Sequence, residues 1–172
     1  MTLALGTVLA ASLIGAVCDI RTRRIPNVLA GALLAFGLIE SAVFFGWKGT
    51  GVALLLAAAV LLAGTAAFSF KLIGGGDVKL LAAATATLGY PAAVSFLLLT
   101  LLCGGVVGLA YAAMRGRLQT TYANMQAVTI PLLSGVAPGR PANGLQMPYA
   151  VSIFAGALCT AALNAAHLRL LP

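Results

Sequence analysis

The chain has 172 residues, of which 62% are hydrophobic and 8% charged. A soluble domain carries about 25% charged residues, so this composition excludes an ordinary soluble domain and indicates a membrane protein. The net charge of +7 does not point to nucleic acid, because the basic residues stand in loops between apolar runs, where they write membrane topology.

A bilayer core of about 30 Å takes about 20 helical residues. Residues 2–18 make a first span. No basic residue precedes it, and Arg21, Arg23 and Arg24 follow it. That order predicts a first span with its N-terminus outside rather than a cleaved signal peptide. "DIRTRRIPN" is a polar loop, and residues 28–47 make a second span ending at the interfacial Trp47. "KGTG" is a short turn and residues 52–70 a third span. "KLIGGGD" is a loop by its glycine density. "VKLLAAATATLGY" has only 13 residues before Pro91 interrupts it, which is about 20 Å of helix. Residues 92–114 form a full span, and 147–166 the last. Between them, residues 115–146 are rich in Gly and Pro and too polar to cross. This stretch either lies flat on the cytoplasmic face or gates what lies beneath it.

Charge parity decides the short segment. Arg21, Arg23, Arg24, Lys71, Lys79, Arg115, Arg117 and Arg140 belong on the cytoplasmic side, and only Lys48 and Arg169 fall opposite. That split needs two crossings between Lys79 and Arg115, so the 13-residue piece is a short span. The expectation is an all-α polytopic membrane bundle of six transmembrane helices with both termini outside. It forms one domain over residues 1–172.

The acidic residues are Asp19, Glu40 and Asp77. A charge at the bilayer centre costs roughly 2.5–3.5 kcal/mol on insertion scales, so each is a functional candidate. Asp19 ends the first span and Asp77 starts the fourth, at one depth and on one side; Glu40 lies toward the opposite face. Two carboxylates at one level can share a proton, because like charges a few ångströms apart do not both ionise easily. The ionised member then takes a proton from water attacking a peptide carbonyl, and the protonated member gives one to the oxyanion. Gly74, Gly75 and Gly76 allow positive φ and close approach of an extended strand. Lys79 favours the Asp77 anion if it is near. Cys18, Cys103 and Cys159 contain no C-x-x-C pair, so neither a zinc site nor a disulfide scaffold is expected. His167, near the C-terminus, is expected to face solvent. No metal or other cofactor is called for.

"GGGDVKL" resembles the G-x-G-D signature of intramembrane aspartyl proteases, with Gly74, Gly76 and Asp77 in the pattern positions and Lys79-Leu80 continuing it. "DIRTRRIPN" resembles the first-aspartate motif of type IV prepilin leader peptidases, with Asp19, Ile25, Pro26 and Asn27 matching. "MPYAVSIFAGAL" is similar to that family's last-helix motif, a Pro-aromatic pair, here Pro148 and Tyr149, followed by small residues. The three motifs occur in the family's order. The resemblance implies an aspartic endopeptidase of the bacterial inner membrane. It would cut the basic leader from prepilin or pseudopilin precursors at the cytoplasmic face, with Asp19 and Asp77 activating water. Gly74, Gly76, Lys79, Pro26, Asn27, Pro148 and Tyr149 would bind substrate or support the pair. The larger bifunctional members carry a cysteine-rich insert between the first two spans and also methylate the product. This chain has only "IRTRRIPN" there, which implies cleavage without methylation. Its size is similar to small peptidases of tight-adherence (Flp-type) pilus systems. The expected partners are the precursor peptide and membrane lipid, not nucleic acid. The alternative from another class is a small transporter or scaffold whose acids bind a cation or relay protons, with the glycine break as a discontinuous helix.

Overall fold

The computed structural model describes residues 2–69, 73–120, 122–123, 126, 131, 134 and 149–166. Pro148, Lys71, Arg140, His167, Arg169 and most of the 115–146 stretch lie outside the described residues. The regular elements are helices: α1 (Thr2–Thr22), α2 (Asn27–Ser69), α3 (Gly75–Leu88), α4 (Ala92–Met114) and α5 (Tyr149–Ala165).

Three of these are long and apolar enough to cross a membrane, namely Leu3–Thr22, Asn27–Ser69 and Ala92–Met114. Tyr149–Ala165 is a shorter apolar helix, and α3 has only 14 residues. α2 has 43 residues and departs from helical geometry at Gly46 (φ 64°, ψ −164°). Leu34 and Leu38 of its first arm pack with Ala53 and Ala57 of its second, so α2 is a helical hairpin. The chain reverses at Gly46 rather than at "KGTG". The reversal needs a positive φ, which glycine adopts without a Cβ penalty. Thr50 Oγ1 already donates to Gly46 O at 3.1 Å, inside the second arm.

α3 lies in the cleft of this hairpin. Along the first arm the contacts run in parallel: Ile25 meets Gly76, Asn27 meets Lys79, and Gly37 meets Thr87. Along the second arm they run antiparallel, from Gly64 against Val78 to Ala57 near Ala86. Small residues make this possible. A Cβ on Gly37 would lie 2.7 Å from Thr87 Cα, and Thr87 Oγ1 donates to Leu33 O at 3.1 Å across the two helices. Residues 82–88 are all buried, which suits a helix of Ala and Thr enclosed by neighbours rather than one facing lipid.

The remaining helices close the other side. Leu5, Val8 and Ala11 of α1, Leu80, Ala83, Ala84 and Leu88 of α3, Ala93 and Phe96 of α4, and Ile153 and Ala157 of α5 share one core. α4 and α5 run antiparallel, with Thr100 seated on Gly156 and Gly104 facing Tyr149 and Ser152. By these contacts the start of α1 and the end of α5 lie at the same end of the bundle. The end of α1 and the starts of α2, α3 and α5 meet at the other.

Candidate active site

The site sits where those four helix ends converge. Asp19 is in the last turn of α1 and half-buried. The chain leaves α1 through Arg23, whose φ of 52° is the left-handed conformation that usually selects glycine. Its N–H donates to Asp19 O at 2.9 Å. Thr22 Oγ1 bonds both Cys18 O at 2.9 Å and Arg24 O at 3.1 Å, tying down the same corner. Residues 24–26 then run to the start of α2, where Leu29 N–H donates to Pro26 O at 3.1 Å.

Asp77 is the third residue of α3 and is buried, 7% exposed. The glycines before it act differently from the expectation. Gly74 is extended (φ −72°, ψ 144°) and caps the helix, while Gly75 and Gly76 form its first turn. Positive φ among the described glycines occurs at Gly46, Gly89 and Gly116 instead. The triplet is needed for space, not for left-handed backbone. A Cβ on Gly74 would stand 2.6 Å from Asp77 Oδ2, and one on Gly76 would stand 3.1 Å from Ile25 Cβ. The Asp77 side chain turns back over the N-cap, toward the Gly74 N–H. A carboxylate at the third helical position reaching back to the N-cap N–H is the acceptor half of a capping box.

Asp19 is served in the same way by a different helix. The backbone N–H of Ala150, in the first turn of α5, lies toward its carboxyl group. The first N–H groups of a helix have no partner within the helix and carry partial positive charge. Each aspartate thus has one such N–H close to it, Asp77 from its own helix and Asp19 from the last helix of the chain. The charge of Asp19 acts on Asp77, and that of Arg23 acts on Asp19. Asp19 Oδ2 and Asp77 Oδ1 are buried and have no hydrogen-bond partner among the described residues.

The other expected site residues separate into two groups. Tyr149 is half-buried at the start of α5, with its hydroxyl 3.0 Å from where a Cβ on Gly104 would be, and it feels the charge of Asp77. It lies at the same end of the bundle as the pair, packed on α4. Lys79 and Asn27 are exposed and bonded to each other, Lys79 Nζ donating to Asn27 Oδ1 at 3.0 Å. Residues two apart on a helix do not share a face, so Lys79 points away from Asp77 and is not the nearby cation that sequence reading allowed. Pro26 is exposed and lies between Ile25 and Asn27. Glu40 has a buried, unpartnered Oε2 but sits far along α2 from Asn27, about 20 Å by helical rise. Among the described residues no three His, Cys, Asp or Glu side chains gather in the way a metal ion requires.

Sequence reading missed three contributors. Ala150 acts through its backbone, which leaves no mark on residue type. Gly104 gives Tyr149 room, and its only signal is a small residue within an apolar helix. Arg23 in a left-handed conformation is hidden, because its charge reads as topology.

The sequence profile of the type IV leader peptidase family matches residues 6–109 of the chain, a stretch that includes both Asp19 and Asp77. No curated protein and no solved structure matches it.

Proposed function

Because the chain belongs to the type IV leader peptidase family, we propose that it is an aspartic endopeptidase in which Asp19 and Asp77 together activate water. The observation that carries this reading is the pair of buried, unpartnered carboxyl oxygens, Asp19 Oδ2 and Asp77 Oδ1, on residues 58 positions apart in the sequence. Two such groups in mutual range share one proton. The ionised carboxylate accepts a proton from water as its oxygen attacks the scissile carbonyl. The protonated one donates to the carbonyl oxygen as it becomes an oxyanion, and the amine leaves with a proton returned by the pair. The helix N-termini at Gly74 and Ala150 place partial positive charge beside the pair.

The substrate in this reading is a prepilin-type precursor of the Flp class, cut at the cytoplasmic face of the inner membrane, between its basic leader and its apolar segment. Six crossings with both termini outside belong to the same reading. The convergence of four helix ends at the aspartates supports it, since Arg21, Arg23 and Arg24 lie at that end.

Co-expression with a pilin precursor tests it. Asp19→Asn and Asp77→Asn each reduce leader removal by at least 10³-fold, the order lost when one member of a cooperating catalytic set is removed, while both variants still insert in the membrane. Processing at wild-type rate by either one disproves the two-aspartate mechanism. Partial function that depends on the cation present supports a transporter instead.

A further inference from the structure

We propose that Asn27 and Lys79 are positioning residues. Their hydrogen bond, with Ile25 seated on Gly76, clamps the start of α3 to the 19–27 segment and so sets the separation of Asp19 from Asp77. The proposal rests on the two-aspartate reading for its effect on rate, but the clamp itself is a matter of geometry.

The bond joins side chains 52 residues apart, at 3.0 Å. Asn27 is the first residue of α2, where its amide oxygen is well suited to cap its own helix. Here that oxygen accepts from Lys79 instead. Lys79 follows Asp77 by two positions, which at 100° per residue turns it about 200° round the helix. It can reach α2 only because Asp77 faces the other way, toward α1. On the preceding side of Asp77, Gly76 lies against Ile25, close enough that a Cβ would stand 3.1 Å from Ile25 Cβ and 3.6 Å from Ile25 N. Asp77 is thus held from both directions along α3 by two residues of one short segment.

The other end of that segment carries Asp19. Between the two ends the backbone is restrained by the left-handed Arg23 and by both hydrogen bonds of Thr22. The segment from Asp19 to Asn27 therefore acts as a strap of set length around the N-terminus of α3. A carboxyl pair that shares one water molecule tolerates little change in spacing, and a misplacement of about 1 Å can cost a hundredfold in rate. Lys79 and Asn27 act on the reaction through Asp77 and not by touching substrate.

The test uses the full chain in membranes with two readouts. In cleavage of a pilin precursor, Asn27→Ala and Lys79→Ala each lower kcat about tenfold and leave KM within about twofold. The double variant loses no more than either single one, because both remove the same bond. Exchanging the partners, Asn27→Lys with Lys79→Asn, recovers most of the rate. The second readout needs no catalysis. Asp19→Cys with Asp77→Cys, in a background of Cys18→Ala, Cys103→Ala and Cys159→Ala, is bridged by a short bifunctional thiol reagent. Adding Asn27→Ala or Lys79→Ala slows bridging severalfold, and the exchanged pair restores it. Were the aspartates not catalytic, Asp19→Asn and Asp77→Asn would leave cleavage in place and kcat would not follow the clamp, yet the bridging rates would still respond. The clamp is overturned by unchanged bridging, by losses of kcat that add in the double variant, or by a rise in KM at constant kcat. The last result would place Lys79 on the substrate.

Discussion

A glycine beside an aspartate reads at first as backbone freedom, and at Gly76 it is instead a matter of volume. Gly76 is helical, and its missing Cβ is what admits Ile25. At 3.1 Å from Ile25 Cβ an added methyl is crowded but accommodated by a shift of a few tenths of an ångström. Gly76→Ala is expected to lower cleavage about tenfold through displacement of Asp77, with the protein still folded. Trimming the facing side chain, Gly76→Ala with Ile25→Ala, is expected to recover part of that loss. A Gly76→Ala enzyme of wild-type activity would show that the contact does not bear on the aspartate. Tyr149 and Gly104 repeat the theme, a bulky group at the same end of the bundle opposite a residue without a side chain.

Among the elements, α3 is the one that depends most on its neighbours. It has 14 residues, near the length at which an isolated helix is marginal even with favourable composition. Its Ala and Thr side chains offer little area apiece. It is held by close backbone approach to the first arm of α2 at Gly37, by the Val78 side chain seated on Gly64 of the second arm, and by the bond from Thr87 to Leu33. This is helix packing of the kind membranes favour, where small residues let backbones meet. Gly37→Val places two methyl groups into Thr87, and overpacking of this sort costs about 1–3 kcal/mol. Unfolding of the purified protein in detergent is expected to show that loss. The effect on cleavage should follow the loss of α3 from its cleft, since Asp77 travels with it. Unchanged stability in Gly37→Val would mean that α3 is not seated where it is described.

At the scale of the molecule, the contacts bring Asp19, Asn27, Asp77 and the start of α5 to one end, and the start of α1 and end of α5 to the other. Gly46 turns α2 back at the end remote from the aspartates. If the chain crosses as proposed, Lys48 lies on the opposite side of the membrane from Arg24. Single cysteines introduced as Lys48→Cys and Arg24→Cys, with the native cysteines replaced, are expected to react with an impermeant maleimide from opposite faces, Lys48→Cys from the outside. Labelling of both from one face would remove the six-crossing arrangement. The helical architecture and the membrane setting were legible in composition and in the spacing of apolar runs. The turn at Gly46 was placed two residues late, because Lys48 looks like the polar centre of a loop. The conformation of Gly74–Gly76 was misread for a related reason, since sequence cannot say whether a glycine is needed for its φ or for its absent Cβ.

By itself the amino-acid sequence determined that this chain is apolar helices in a membrane, and that two of its three acids, Asp19 and Asp77, stand at helix ends in stretches that resemble motifs of a known peptidase family. Those properties follow from hydropathy and from local pattern, which act over one helix or one loop at a time. Only the tertiary structure decided that the start of α5 at Ala150 comes to Asp19, that Lys79 bonds Asn27 rather than facing Asp77, and that Ile25 rests on Gly76. Each of these joins separate helices, and its partner is chosen by how the helices cross and how near their backbones come. That depends on the packing of the whole bundle, which no local stretch of sequence encodes.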